Sequence, residues 1–515
     1  MQVDPLEILR ERESYRDWYL AERDPISRDR LRWQAQSFRH LVHLVPGETI
    51  LEVAAGRGCF TRALAEMAKA RNPIAAVVFN QDAVVLEEVS NCIEVIRAQS
   101  FPGALAHRKF TYVVMENILD RRTATFLLPR LFDLLEEGGQ MVLFESNPWN
   151  MVFAVRNFIL RRLRRPRKQR LVSRAELYEL LSEIGFMRIS ARFTDFVYPP
   201  LSGGAVWILR NLSIVLENTP GVRSLAGRIL IHAQKPPRES RRPNVSLYRH
   251  DSLKRAVSVV IPCHNEEANL GPLILGLRKY YDDYIQQFVL VDDNSTDGTR
   301  AEIARLASAD SRVTPVFRSK PNGVGRALRE GFAQATGRYI LSMDCDFQHL
   351  LPDIEDMFDA AAEGSDAVFG SRFSRHSVLI NYPFGKIVAN RIFHLVIHLV
   401  LGCKRRDVTN NLKLLRTDIA RRIVIREPDF AANAEIGLQL AMMGEHVCEV
   451  PISWIDRTFD MGQSNFRVLR SGGGYMRVLA RMAMVKWFGR SLVKGLEYPG
   501  PSGTDRKPSL PDDVH

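Results

Sequence analysis

The sequence predicts an α/β protein made of two successive doubly wound domains. Three observations carry that reading. Apolar runs of strand length alternate with amphipathic stretches of helix length, and the alternation restarts at AVSVVIPCHNEE, beginning at Ala256. In the second half, three apolar runs each end in a cluster of polar residues, as buried parallel strands do at their carboxyl ends. Between the halves, residues 235–256 (KPPRESRRPNVSLYRHDSLKRA) are rich in Pro, Arg and Ser and lack apolar periodicity, the composition of an exposed linker. The expected divisions are a first domain over 1–235, a linker over 236–255, a second domain over 256–470, and a basic amphipathic helix with a polar tail over 471–515.

Composition agrees with two globular units. The chain has 515 residues, 46% hydrophobic and 25% charged, which excludes a mostly disordered or fibrous protein. Lys and Arg number 71 against 59 Asp and Glu, a formal charge of +12 that favours anionic partners. The six cysteines (Cys59, Cys92, Cys263, Cys345, Cys403, Cys448) are scattered without a C-x-x-C pair, so no disulfide framework or zinc site is expected. The opening MQVDPLEILRERESYRDW has no apolar core and does not read as a secretory signal. No run reaches the roughly 18 apolar residues of a membrane span. The expectation is a cytoplasmic protein that touches a membrane face peripherally.

In the first domain, PGETILEVAAGRGCFTRALAEMA (46–68) reads as a strand, a glycine-containing turn and a helix. FTYVVMENIL, LFDLLEEGGQMVLFESNPWN and SRAELYELLSEIGFMRISARF continue the alternation. Residues 156–170 hold eight Lys or Arg and no acid. Such a block is either a solvated insertion or a clamp for phosphate or anionic headgroups, docked by Trp149, Phe153 and Phe158.

In the second domain, VSVVIP (257–262) is followed by CHNEE, FVLV (288–291) by Asp292 and Asp293, and YILSM (339–343) by Asp344, Cys345 and Asp346. Carboxylates from three strands therefore gather at one sheet edge, where open α/β sheets bind ligands. The Asp344-x-Asp346 spacing lets both carboxylates reach one hard divalent cation, which would bridge a diphosphate and offset charge on a leaving group. Asp297 and Asp353 read instead as helix-cap or turn residues.

Six motifs in order, VSVVIPCHNEEANL, VLVDDNSTDGT, NGVGRALREGF, YILSMDCDFQH, DAVFGSRF and EVPISWIDRTFDMGQSNF, resemble the family 2 glycosyltransferases of GT-A fold. The likeness is nearest to the dolichyl- and polyprenyl-phosphate mannosyltransferase branch and covers about residues 256–470. It implies inverting transfer of a sugar from a nucleotide donor with Mg²⁺ or Mn²⁺ held by Asp344 and Asp346. It implies nucleotide-sugar contacts from Pro262, His264, Glu266, Asp292, Asp293, Asp344 and Gln348, and donor-phosphate contact from Arg372. Lys413, in VTNNLKLLR, and Arg457 are the residues it places at the acceptor phosphate.

A polyprenyl phosphate is already an anion and needs cations rather than a general base, a role suited to Lys413, Arg457, Arg405 and Arg406. A sugar-hydroxyl acceptor would need a carboxylate base, for which Asp407, Glu435 and Asp456 are the candidates. Residues 378–403 combine a broad apolar face with Lys386 and Arg391, as an interfacial helix or a core or dimer helix would. His394 and His398, at i and i+4, read as structural. Residues 471–495 give a second basic amphipathic helix carrying Arg477, Arg481 and Lys486, suited to peripheral contact with anionic lipid. No nucleic-acid recognition fold accompanies it.

The first domain resembles the class I S-adenosylmethionine-dependent methyltransferases over about residues 35–235. Glu52, Gly56 and Gly58 fall in its first motif and would be the cofactor contacts. Val78 stands where the family carries a ribose-binding acid, with Asn80 and Asp82 nearby, and Ala98 and Gln99 stand near the adenine position. Two readings follow: a working methyltransferase, or a domain kept as a scaffold. A third makes both halves non-catalytic binding modules.

Overall fold

In the computed structural model the described residues are 4–19, 25–80, 91–150, 171–197, 203–219, 221–236, 246–345, 351–374, 377–380, 382–444, 446–455 and 468–488. Two helices, α1 (Pro5–Tyr19) and α2 (Pro25–Leu41), precede the first sheet. Then come β1 (Ile50–Val53), α3 (Cys59–Met67), β2 (Ile74–Val78), β3 (Ile93–Arg97), β4 (Phe110–Glu116), α4 (Arg121–Leu134) and β5 (Leu135–Ser146). The domain closes with α5 (Arg174–Ile184), β6 (Met187–Thr194), α6 (Gly203–Glu217) and β7 (Arg228–Gln234).

The short apolar runs ILEV and IAAVV are buried at every position, as central parallel strands covered on both faces must be. Local signals set the helix ends. Asp120 and Thr123 form a capping box at the start of α4, Ser173 and Glu176 another at α5, and Gly185 closes α5 at φ 103°. The strand order is β3-β2-β1-β4-β5-β7-β6, with β7 antiparallel to both neighbours. The order reverses between β1 and β4, which puts the topological switch point at their carboxyl ends.

The second domain contains β8 (Val257–Cys263), α7 (Glu267–Tyr281), β9 (Ile285–Asp292), α8 (Thr299–Ala309), β10 (Val313–Phe317), α9 (Val324–Gln334), β11 (Tyr339–Ser342) and α10 (Leu351–Ala362). It continues with β12 (Ala367–Ser371), β13 (Val378–Ile380), α11 (Phe384–Leu401), β14 (Lys413–Arg416), α12 (Thr417–Ala420) and α13 (Ala431–Met442). Last are β15 (Val447–Pro451), β16 (Ser453–Ile455) and α14 (Val468–Phe488). The order is β10-β9-β8-β11-β14-β12-β15, with β14 antiparallel between β11 and β12, and β13 pairs with β16 in a small second sheet.

Two expectations change here. Residues 246–255 are not an exposed linker: Leu247 and Leu253 are buried, the Tyr248 ring lies 4.8 Å from that of Tyr284, and the Arg249 backbone N–H donates to the Tyr284 hydroxyl at 2.7 Å. Apolar contacts too sparse to show a period are enough to fix ten residues against a sheet. Residues 237–245 lie outside the described set.

Asp353 is not a cap. Its carboxyl is wholly buried, accepts the Ser453 backbone N–H at 2.9 Å, and faces His40 of the first domain. Around this contact, the acidic side of α10 meets basic residues of the first domain. Arg39 lies 3.0 Å from Asp356, Lys69 3.0 Å from Asp356, and Arg71 2.8 Å from Glu355. Ile214 of α6 adds an apolar contact, joining Phe373, Tyr382, Ile387 and Trp454 of the second domain.

Candidate active site

The carboxyl ends of β8, β9 and β11 open into a cavity of about 540 Å³. Pro262 enters it from the end of β8, His264 and Glu266 just after β8, Asp293 after β9 and Asp344 after β11. Each follows an apolar strand, so the sheet itself delivers the polar groups to one edge.

Hydrogen bonds fix most of them. Asp344 accepts from the Asn411 side-chain amide at 2.9 Å, and Asn411 in turn accepts from the Ser342 hydroxyl at 2.6 Å. Asp293 is gripped by the Arg318 guanidinium and by the Gly323 backbone N–H at 2.6 Å. His264 Nδ1 lies 3.1 Å from the Asp293 carbonyl oxygen; a carbonyl only accepts, so that nitrogen carries the proton. Asp292 does not line the cavity: its carboxylate is buried, accepts the Ser295 N–H at 3.1 Å, and has Arg300 at 3.6 Å. Asp297 caps neighbouring backbone, accepting from Thr299 and Glu267. Asp346, Gln348, Asp456, Arg457 and the basic block 156–170 lie outside the described residues.

Arg372 lines the cavity and is forked on Asp407, with Nε 2.7 Å from one carboxylate oxygen and Nη2 3.0 Å from the other. It also donates to the Tyr382 hydroxyl at 3.0 Å and the Thr409 hydroxyl at 2.9 Å. Burial works against both charges, but each outweighs it for the other. The guanidinium is raised above its ordinary range and Asp407 is held well below the usual carboxylate range.

Asp407 is thus a fully buried counter-ion, and the expectation of a general base there is corrected. Glu435 is equally committed. It is buried off the cavity and accepts the backbone N–H groups of Arg426 and Glu427 at 2.8 Å each, with Arg481 on its other oxygen.

Lys413, expected at the acceptor phosphate, does not reach the cavity. It sits beneath, only 2% exposed, donating to the carbonyls of Asn410 and Asn433. Burial lowers its ammonium to about 7. Lys386 lines the cavity instead.

The far wall is apolar and aromatic. Tyr382 meets Trp454 edge-on at 4.6 Å, and Phe393 of α11 meets Tyr475 of α14 at 5.1 Å. Ile392 and Met476 line the cavity and are also 56% and 55% exposed, so this wall runs out to the protein surface. Leu395, Leu399, Trp487 and Phe488 extend the exposed apolar strip along the two helices. Lys486 and Trp487 hold the helices together by donating to the Leu401 and Val400 carbonyls at 2.6 and 3.1 Å. His394 is structural, as expected: Val408 N–H donates to its Nε2 at 3.0 Å.

The expectation that Arg481 faces lipid is corrected, while Arg477 stays 63% exposed. Both turn to Glu427, at 3.0 and 2.6 Å, and Arg481 also pairs with Glu435. Glu427 lies in the loop on which α9 rests. A Cβ at Gly325 would stand 2.1 Å from the Glu427 carbonyl oxygen, so only glycine permits that approach.

Among the residues the sequence reading missed are Asn411, Tyr382, Trp454 and Tyr475. Asn411 had a visible signal, the paired Asn of VTNNLKLLR beside a cation. The aromatic residues sit in apolar runs that read equally well as core.

In the first domain, Glu52 is buried on β1, and Gly56 and Gly58 follow it at φ 54° and 72°, as a tight strand-to-helix turn requires. Val78 is buried at the end of β2, and Asp82 lies outside the described residues.

Residues 258–424 match the family described as Glycosyl transferase family 2. Polyprenol monophosphomannose synthase of Mycolicibacterium smegmatis is 30% identical over 219 residues, covering 41% of this chain and 82% of that protein. The chain belongs to glycosyl transferase family 2. It is a glycosyltransferase related to the polyprenyl-phosphate mannosyltransferases, and the cavity lies in its family 2 domain. Undecaprenyl-phosphate mannosyltransferase of Micrococcus luteus is 27% identical over 247 residues, 47% of this chain and 99% of the relative. Dolichol-phosphate mannosyltransferase of Pyrococcus furiosus is 28% identical over 237 residues, 45% of this chain and 64% of the relative. Among solved structures, glucosyl-3-phosphoglycerate synthase from Mycobacterium tuberculosis in complex with Mn²⁺ and uridine-diphosphate-glucose is 18% identical at a TM-score of 0.36, covering 48% of this chain and 84% of that one.

Proposed function

We propose that the family 2 domain moves a sugar, with inversion, from a nucleotide donor to a polyprenyl-phosphate-type lipid at the cytoplasmic face of a membrane. One observation carries the choice of acceptor: the cavity joins a carboxylate-bearing sheet edge to an apolar wall that continues, through Ile392 and Met476, onto the exposed strip of α11 and α14. A lipid phosphate needs both surfaces, one for its tail and one for its headgroup beside the donor. The relatives named as acting on polyprenol, undecaprenyl phosphate and dolichol phosphate support the same class. The commitment of Asp407 and Glu435 elsewhere supports an acceptor that needs no base.

Asp344 suits a hard cation: it is an oxygen donor facing the cavity and oriented by Asn411. With Asp346 it would hold Mg²⁺ or Mn²⁺, and the bound cation would offset charge growing on the leaving diphosphate. Pro262, His264, Glu266, Asp293 and Gln348 are assigned to the nucleotide sugar. Arg372, pinned by Asp407 with its fork direction fixed, is assigned to the donor phosphates. Lys386 and Arg457 take the acceptor phosphate. For the first domain, the doubly wound strand order and the glycine turn after β1 support a methyltransferase-like fold.

The test is incubation of purified protein with membranes and a panel of labelled nucleotide sugars. Label in an acid-labile, solvent-extractable lipid is the expected result. Label found only in polar glycan rejects the lipid acceptor.

A further inference from the structure

The first domain's switch-point crevice is where an α/β sheet of this order takes its ligand. Here it already has an occupant from the same chain. The Glu13 carboxylate of α1 is wholly buried over the carboxyl ends of β1 and β2. One oxygen accepts the Gly56 backbone N–H at 3.0 Å; the other accepts those of Phe79 at 3.0 Å and Asn80 at 2.6 Å. Three backbone donors from two different strand-end turns therefore converge on one internal carboxylate, an anion nest already filled.

The neighbours of Glu13 hold it there. Arg12 donates to the Ile118 and Leu119 carbonyls at 3.1 and 2.7 Å and pairs with Asp120 at 3.3 Å, which fastens α1 to the turn after β4. Ser14 accepts from the Asn80 side chain at 2.9 Å. Leu9 is wholly buried in the cluster containing Val53, Val77 and Met115. α1 thus bridges the turns after β1, β2 and β4, across the switch point itself.

We infer that α1 is a permanent internal ligand of this crevice, and that the first domain does not bind S-adenosylmethionine. This deepens the methyltransferase-like reading of the fold and rests on it. The residues do not fit the cofactor. Its amino-acid carboxylate would need the N–H donors that Glu13 holds, and its ribose hydroxyls would need a carboxylate where the end of β2 offers buried Val78. Moving Glu13 aside would leave buried N–H groups without an acceptor, which opposes exchange with a diffusible ligand. The first domain then serves as a rigid body seated on α10 of the glycosyltransferase.

Equilibrium dialysis of the full chain against radiolabelled S-adenosylmethionine at high micromolar concentration is expected to show no saturable binding. Saturable binding near one per chain would overturn the inference while supporting the methyltransferase-like reading, so the two fail separately. In the full-chain variant Glu13→Gln, the amide turns N–H groups toward N–H groups. We expect a fall of about 5 °C in Tm and faster hydrogen exchange at Phe79 and Asn80. An unchanged Tm would overturn a permanent occupant. If the variant does not fold, the wild-type dialysis decides alone.

Discussion

His40 Nε2 lies 3.1 Å from Asp353 Oδ1, with both side chains wholly buried where the two domains meet. Burial drives the pair toward neutrality, pushing Asp353 well above the usual carboxylate range and His40 well below the usual imidazole range. Asp353→Asn keeps the shape and the neutral state and is expected to cost under about 1 kcal/mol, whereas Asp353→Ala strands the Ser453 N–H and costs about 1–3 kcal/mol. The sign of the pH effect is fixed. A carboxyl whose folded pKa is raised loses stability as pH climbs from its unfolded value near 4 toward the folded one. The stability of Asp353→Asn relative to wild type should therefore rise with pH over that range, read by urea unfolding at a series of pH values.

The Arg372–Asp407 fork predicts an unequal pair of outcomes. Asp407→Asn leaves a buried guanidinium without its counter-charge and should cost about 3–5 kcal/mol of stability. Arg372→Lys keeps a charge but loses the two-pronged geometry, and sugar transfer should fall more than tenfold. Because Asp407 is held below the usual range, the pair's contribution persists at neutral pH. It is lost only as pH falls below the unfolded value near 4 toward the lower folded one.

Lys413 should give a slope of the same sign in a more alkaline window. Its ammonium falls from an ordinary 10.5 to about 7 on burial, so the folded protein favours the neutral amine. Wild-type stability should rise between pH 7 and 10, an effect on the order of 4 kcal/mol over the whole interval. In Lys413→Met that slope should disappear, leaving the variant relatively better off as pH falls to 7 and level below it.

Asp344→Asn should lower sugar transfer about 100-fold or more, with higher Mn²⁺ needed for the residual rate. Asp346→Asn should behave alike, and a chelator should abolish transfer by the wild type. Unchanged transfer in both variants would remove the cation from Asp344.

The exposed strip on α11 and α14 makes a binding prediction. Leu399 and Phe488 are 71% and 66% exposed and do not line the cavity. Leu399→Glu or Phe488→Glu should each weaken sedimentation with anionic phospholipid vesicles by about tenfold or more. Transfer to a detergent-dispersed acceptor should be little changed.

Much of the catalytic half was legible because strands announce their ends. VSVVIP, FVLV and YILSM each stop at polar residues, and strands stopping at one edge bring those residues together. What a single strand conceals is its face. Lys413 opens β14, which is covered on both sides, so no alternation marks which way its ammonium points. Asp353 occupies the first turn of a helix and looks like a cap; its partner lies more than 300 residues earlier. Arg477 and Arg481 show the period of an amphipathic helix, but period gives a face and not a partner, and Glu427 and Glu435 claimed both. Residues 246–255 conceal their seat for a related reason: two leucines and a tyrosine suffice to hold a segment whose composition looks solvated.

The close approach of Gly325 to Glu427 has a mechanical meaning. Asp293 in the cavity holds Gly323, α9 starts beside it and rests on the Glu427 carbonyl, and the Glu427 side chain holds Arg477 and Arg481 of α14. The apolar face of α14 is therefore held from the same fixed point as the carboxylate edge of the cavity, and the fold sets the distance between them. A methyl group at position 325 would disturb that spacing without entering the cavity.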